Sequence, residues 1–178
     1  MSDSRKSPGR DRRSGIGDPG SDLDSKGEAG RDSGSGIRDS RIDDLIAAAR
    51  AVREHARADY SGFKVGAALE TADGTIVTGC NIENATYGLT VCAERVAMFK
   101  ALSEGHREFR RIVVVAPPDA PTPPCGACRQ VLWEFAGDLE IILANLLGET
   151  GRHRLGDLLP QPFDARLLNL KPRGGNAT

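Results

Sequence analysis

Cys92, Cys125 and Cys128, with Glu94 two residues after the first of them, are the residues of this chain best equipped for chemistry. Zn²⁺ takes four tetrahedral ligands, and a catalytic site keeps one of the four positions for water or hydroxide. Three cysteines therefore describe a zinc centre with one open position. Water with a bulk pKa near 15.7 can be acidified there to about 7, which makes a nucleophile available at neutral pH. Three thiolates work against this, because they leave the complex negatively charged. The sequence supplies two counterweights. Cys92 and Cys125 fall where helices should begin, and free N–H groups there favour a thiolate by roughly 0.3 to 1 kcal/mol each. Arg95 adds a full positive charge in the shell behind the ligands. Glu94, in the first helical turn, faces the activated water, and burial should raise its pKa so that it can shuttle protons near pH 7.

These side chains have to be positioned by an ordered domain. Residues 1–40 contain nine Ser and eight Gly, with eight basic residues balancing eight acidic ones and no periodic apolar pattern. That composition predicts a disordered tail without the acidic-poor character of a transit peptide. Order begins at Ser40, where Ser40-x-x-Asp43 reads as a capping box. It opens a helix to about residue 58 with Ile42, Leu45, Ile46, Ala49 and Ala56 on one face. Residues 65–71 and 75–80 read as a hairpin turned at Ala72-Asp73-Gly74. A second helix starts near Cys92, with Thr90 as its candidate cap, and stops at Gly105. Ile112-Val113-Val114-Val115 reads as a strand buried on both faces. Residues 125–135 read as a helix, 140–144 as a strand and 150–155 as an edge strand. The order predicts an α/β fold, a three-layer α/β/α sandwich with a five-stranded mixed sheet. The catalytic domain spans 41–170, and 171–178 form a frayed tail.

The whole-chain properties narrow the partners. A net charge of -1 offers no basic field for a nucleic-acid backbone, so a small molecule is the expected substrate. No apolar leader or membrane-length span is present in the sequence, which points to a cytoplasmic protein whose cysteines serve as ligands rather than disulfides. Cys80 lies outside the ligand spacing and reads as a small buried hydrophobe. His55, His106 and His153 have no mutual metal spacing, and Trp133 reads as packing.

The pattern C-x-E followed by P-C-x-x-C is that of zinc deaminases of nucleobases, in which the Glu is the acid/base and not a ligand. Five segments extend the likeness over nearly all of residues 42–168. They are Tyr60-Ser61-x-Phe63-x-Val65-Gly66-Ala67-Ala68-Leu69, Thr78-Gly79-Cys80-Asn81-Ile82-Glu83-Asn84-Ala85, Tyr87-Gly88-Leu89-Thr90-Val91-Cys92-Ala93-Glu94-Arg95, Pro124-Cys125-Gly126-Ala127-Cys128-Arg129-Gln130-Val131-Leu132 and Leu158-Leu159-Pro160-x-x-Phe163. Together they resemble the homotetrameric zinc-dependent cytidine deaminases. Lys64, in place of a frequent Pro, and Thr86, in place of a Ser, are the departures.

The resemblance implies one Zn²⁺ per subunit on Cys92, Cys125 and Cys128, proton transfer by Glu94, and an Ala93 N–H on the pyrimidine O2. It implies that Asn81 and Glu83 bind the ribose 3'-hydroxyl and that Phe63 packs near the base. Ala85, Tyr87 and Phe163 would reach a neighbouring subunit's site in a homotetramer. The implied activity is deamination of cytidine and deoxycytidine in pyrimidine salvage. Three alternatives stand beside it: a deaminase of another aminopyrimidine nucleoside of the blasticidin type, a nucleic-acid editing deaminase, and a non-catalytic zinc or redox protein built on Cys125-x-x-Cys128. Glu94 separates catalysis from the last of these, since a structural zinc takes a fourth protein ligand and needs no carboxylate there.

Overall fold

The computed structural model describes residues 39–117 and 121–168. The expected tails at 1–40 and 171–178 lie outside the described residues, except for Asp39 and Ser40. The first helix, α1 (Ser40–Arg53), buries Ile42, Leu45, Ile46 and Ala49, a stripe at helical spacing. Its cap is Asp39, whose carboxylate accepts from the Arg41 N–H at 3.1 Å, so the start lies one residue before the Ser40 box.

The helix ends at Arg53 and not near residue 58, and the reason is tertiary. Arg57 leaves the helix to pair with a distant segment, its N–H donating to Asn81 O (3.0 Å) and its carbonyl accepting from Glu83 N–H (2.8 Å). Ala56 is buried all the same.

Five strands follow: β1 (Gly66–Thr71), β2 (Ile76–Cys80), β3 (Phe109–Val115), β4 (Glu140–Ala144) and β5 (Glu149–Arg154). Their order across the sheet is β2-β1-β3-β4-β5. The β3–β4 pair is parallel and the other neighbours are antiparallel. This is the mixed sheet expected. Gly74, with φ of 88°, makes the β1–β2 turn that a side-chain-bearing residue would strain.

Helices α2 (Ala93–Ser103) and α3 (Gly126–Ala136) cover one face, burying Ala67, Leu69, Val77, Ile112, Val114, Ile141 and Leu143. The alternate residues Ala68, Val113, Val115, Ile142 and Ala144 face α1. Ile112 to Val115 are thus buried on both faces, as their unbroken apolar run predicts. A short helix, α4 (Leu155–Leu158), continues from β5 and was not foreseen.

Two features fix α2 and α1 onto the sheet. Gly79 lies beneath α2, and a Cβ there would collide with Ala97 N and come within 2.6 Å of Ala93 O. The start of α2, where Cys92 and Glu94 sit, therefore rests directly on β2. On the opposite face Glu70 is buried in β1, ion-paired with Arg41 and Arg111 at 3.0 Å each, and Arg111 also pairs with Asp39 at 2.7 Å.

Candidate active site

Cys92 and Cys125 are the N-caps of α2 and α3, and neither helix start has a side-chain cap. Thr90, the expected cap, instead accepts from Asn84 N–H through Oγ1 (3.1 Å). Both residues thus sit at the positive ends of helix dipoles, the placement that stabilises thiolate charge. Cys128 stands in the first turn of α3 and is fully buried. The three sulfurs lie within 4.8 Å of one another, with Cys92 to Cys125 at 3.9 Å and Cys125 to Cys128 at 3.5 Å. Thiolates at about 2.3 Å from a tetrahedral zinc are about 3.8 Å apart, so this donor set fits Zn²⁺ in spacing as well as in chemistry.

The cluster shares its charge unevenly. A hydrogen bond from Cys128 and the Arg95 guanidinium hold the Cys92 thiol down to about 5. The same hydrogen bond, with burial, pushes Cys128 up. Arg95 lies 3.8 Å from Cys92 Sγ and anchors itself on Thr90 O at 3.0 Å. Its guanidinium thus lies beside the first of the three thiols.

Glu94 is 5% exposed, and burial raises its carboxyl to about 7, with the Cys92 thiolate adding to the effect. A group poised there can both take and give a proton at neutral pH. Ala93 is the first residue of α2, and its N–H is one of the helix's unpaired donors.

The remaining predicted residues lie on the segments 60–65, 81–90 and 158–163. Asn81 is buried, its Oδ1 accepting from Val65 N–H (2.8 Å) and its Nδ2 donating to Phe63 O (2.9 Å). Glu83 accepts from the backbone N–H groups of Tyr60 (2.8 Å) and Ser61 (3.1 Å), and hydrogen bonds led by Ser61 hold its carboxyl below the ordinary range. Phe63, Ala85, Tyr87 and Phe163 are exposed in the single chain, Tyr87 at 76%. Tyr87 meets Tyr60 edge to face with ring centres 6.1 Å apart. A cleft of about 370 Å³ is lined by Tyr60, Ser61, Glu83, Tyr87 and Thr90. A larger cavity of about 460 Å³ lies between α1 and the β4–β5 hairpin, among residues such as Ile46, Arg50 and Leu147, and neither it nor the smaller cleft is lined by a thiol or by Glu94. The thiols and Glu94, rather than cavity size, locate the chemistry.

Sequence reasoning missed several residues that hold these segments. Arg57 fixes the 81–83 segment by backbone pairing alone, which no side-chain pattern announces. Arg129 donates to Pro124 O and Leu158 O, both at 2.7 Å, and Gln130 Nε2 donates to Phe163 O. Trp133 donates to Asp164 at 3.2 Å, so it packs and anchors, and α3 thereby carries the segment bearing Phe163. The Arg129-Gln130 pair beside Cys128 was the available signal. Cys80 is half-buried, less enclosed than a core hydrophobe, because it ends an edge strand. His55 is exposed, and His106 and His153 are partly so; none joins the thiol cluster.

Comparison with known proteins supplies a second line of observation. The family model for the cytidine and deoxycytidylate deaminase zinc-binding region matches residues 39–144. A cytidine deaminase of Sporosarcina psychrophila is 50% identical over 129 residues, covering 72% of this chain and 95% of that relative. One from Halalkalibacterium halodurans is 51% identical over 126 residues, 70% of this chain and 96% of the relative. The crystal structure of cytidine deaminase from Burkholderia pseudomallei superposes with a TM-score of 0.66 at 52% identity, covering 68% of this chain and 98% of that one.

Proposed function

Because this chain belongs to the cytidine and deoxycytidylate deaminase zinc-binding family, we propose that it deaminates cytidine and deoxycytidine hydrolytically, giving uridine or deoxyuridine and ammonia. The observation that carries this reading is a buried carboxyl poised near 7 beside three convergent thiols. Cys92, Cys125 and Cys128 hold one Zn²⁺ per chain, which when bound acts as a Lewis acid that acidifies water.

Glu94 performs the proton transfers. As a carboxylate it takes a proton from the water that adds to C4 and delivers it to ring nitrogen N3. It then moves the hydroxyl proton of the resulting tetrahedral carbon onto the amino group. The C4–N bond breaks, C4 becomes a carbonyl and ammonia leaves, so atoms and protons balance. The Ala93 N–H holds the pyrimidine O2, and Phe63 packs near the base. Arg95 offsets the negative charge of the thiolates.

Asn81 and Glu83 receive the ribose 3'-hydroxyl. Each keeps unused hydrogen-bonding capacity after its backbone bonds, since an amide offers two donors and two lone pairs and a carboxylate about four acceptor positions. Ala85, Tyr87 and Phe163 serve a neighbouring subunit's site in a homotetramer, a reading supported by their exposure in the single chain. The catalytic domain takes in α1 with its cap Asp39 and runs to about residue 170, and the tail before Asp39 is dispensable for turnover. Four free cysteines suit a reducing cytoplasm, where the reaction would serve pyrimidine salvage. Among the described residues no helix is long and apolar enough to cross a membrane.

An ultraviolet assay of four compounds tests the reading. Cytidine and deoxycytidine should both react, because the 3'-hydroxyl contact does not read the 2' position. Free cytosine should be poorer by roughly 10⁴-fold, since the polar groups built for the sugar are left unpaired. Cytidine 5'-monophosphate should fail for want of a cationic cluster near Glu83. Arg57, whose backbone pairs with the 81–83 segment, has its guanidinium paired with Asp59 at 3.2 Å. Efficient turnover of the nucleotide or of cytosine would remove the assigned sugar pocket. Light scattering should give a tetramer that loses activity on dilution; a fully active monomer would end the shared-site reading.

A further inference from the structure

We propose that Ser61 is a positioning residue that aims Glu83 at the ribose 3'-hydroxyl, an inference that rests on the nucleoside reading above. Ser61 Oγ accepts from the Phe63 N–H at 2.9 Å and donates to Glu83 Oε1. Its donor and its nearest lone pair are thus both spent inside the protein, and it acts through its partners. Glu83 Oε2 takes the two backbone N–H groups of Tyr60 and Ser61.

A count of acceptor positions makes the consequence definite. A carboxylate has about four, two on each oxygen. The protein fills two on Oε2 and one on Oε1. The position that remains is on Oε1, the oxygen that Ser61 grips, so the hydroxyl of Ser61 decides where it points. Tyr60, Ser61 and Glu83 together line the cleft beside Tyr87 and Thr90. An ionised carboxylate only accepts, and a single free acceptor position recognises one hydroxyl donor while repelling a phosphate.

The same Oγ also ties the backbone of Phe63, which Asn81 Nδ2 grips on its carbonyl side at 2.9 Å. Loss of Ser61 therefore frees Glu83 more than it frees Phe63. A serine that merely stabilised the 60–63 turn would act equally on every substrate.

The test compares deoxycytidine with 2',3'-dideoxycytidine, which lacks the hydroxyl in question. In Ser61→Ala, kcat/KM for deoxycytidine should fall by about 10- to 100-fold, mainly through KM, as expected for a misplaced contact. The dideoxy compound should change by less than about threefold, because it never used the contact. Ser61→Thr, which keeps the hydroxyl, should restore deoxycytidine turnover, and bound zinc and circular dichroism should match wild type in both variants. Equal losses on the two substrates, or no loss on deoxycytidine, would overturn the proposal. Loss of zinc or of folded signal in Ser61→Ala would make Ser61 structural and overturn it too. A wild-type protein inactive on cytidine would instead defeat the functional reading itself.

Discussion

Glu94→Gln should produce a protein that is more stable and nearly inactive, and the two effects have one cause. Burial raises the Glu94 carboxyl from 4.5 to about 7, so the folded metal-free chain holds its proton over a range in which the unfolded chain has released it. The folded state binds more protons between those values, and stability must fall as pH rises through that window. A shift of about 2.5 units at 1.36 kcal/mol each gives roughly 3 kcal/mol, fully lost above about pH 7. Gln at this position is neutral at every pH and avoids the loss. Urea unfolding of the metal-free proteins at pH 5 and pH 8 should therefore show little difference at the first and a Gln advantage of about 3 kcal/mol at the second. Repulsion between the Glu94 carboxylate and the neighbouring thiolate is absent from the Gln protein and forms part of the measured difference. Turnover should drop by about 10⁴-fold or more in the zinc-loaded variant, since one group performs several transfers. Equal pH dependence of stability in the two proteins would refute the burial argument. Retention of a tenth of the activity would refute the proton-shuttle role.

Chelation should abolish turnover and Zn²⁺ should restore it, with metal analysis giving one zinc per chain; replacing any one of Cys92, Cys125 or Cys128 by Ala should lower zinc content as well as activity. Glu70→Gln should cost roughly 1 to 2 kcal/mol in urea unfolding, because it removes the buried carboxylate between Arg41 and Arg111 while Asp39 and Glu140 still face Arg111, and KM should stay unchanged. Unaltered stability would show that the buried pair is neutral to the fold. Gly79→Ala should push the start of α2 off the sheet and lower both stability and zinc affinity; a crystal structure of that variant with α2 unmoved would contradict the close-approach argument.

Much of the site was legible because its signals are local. Each of the two cysteine segments lies at one helix start, and Ile112 to Val115 and 140–144 declare buried strands by their apolar runs. The end of α1 was not legible, since Arg57 departs from helix only to meet Asn81 and Glu83, a pairing absent from any local periodicity. Glu70 looked like one more charged residue in a strand, and its burial depends on two arginines far from it in sequence. The resemblance pointed to Asn81 as a sugar contact, whereas only the fold reveals that its amide also stitches Phe63 to Val65.

The division of the thiols between two helix starts has a consequence for how the protein acquires its metal. Cys125 and Cys128 belong to one helical turn and can meet an ion as soon as α3 forms. Cys92 joins them only after β3, which lies between the two segments in the chain, has been laid beside β1 and both helices have settled on one face of the sheet. A two-thiolate site is an incomplete competitor for zinc, and the third ligand arrives with the tertiary structure. Tight metal capture is thereby deferred until assembly of the domain, and retained zinc becomes a readout of chains that have finished folding.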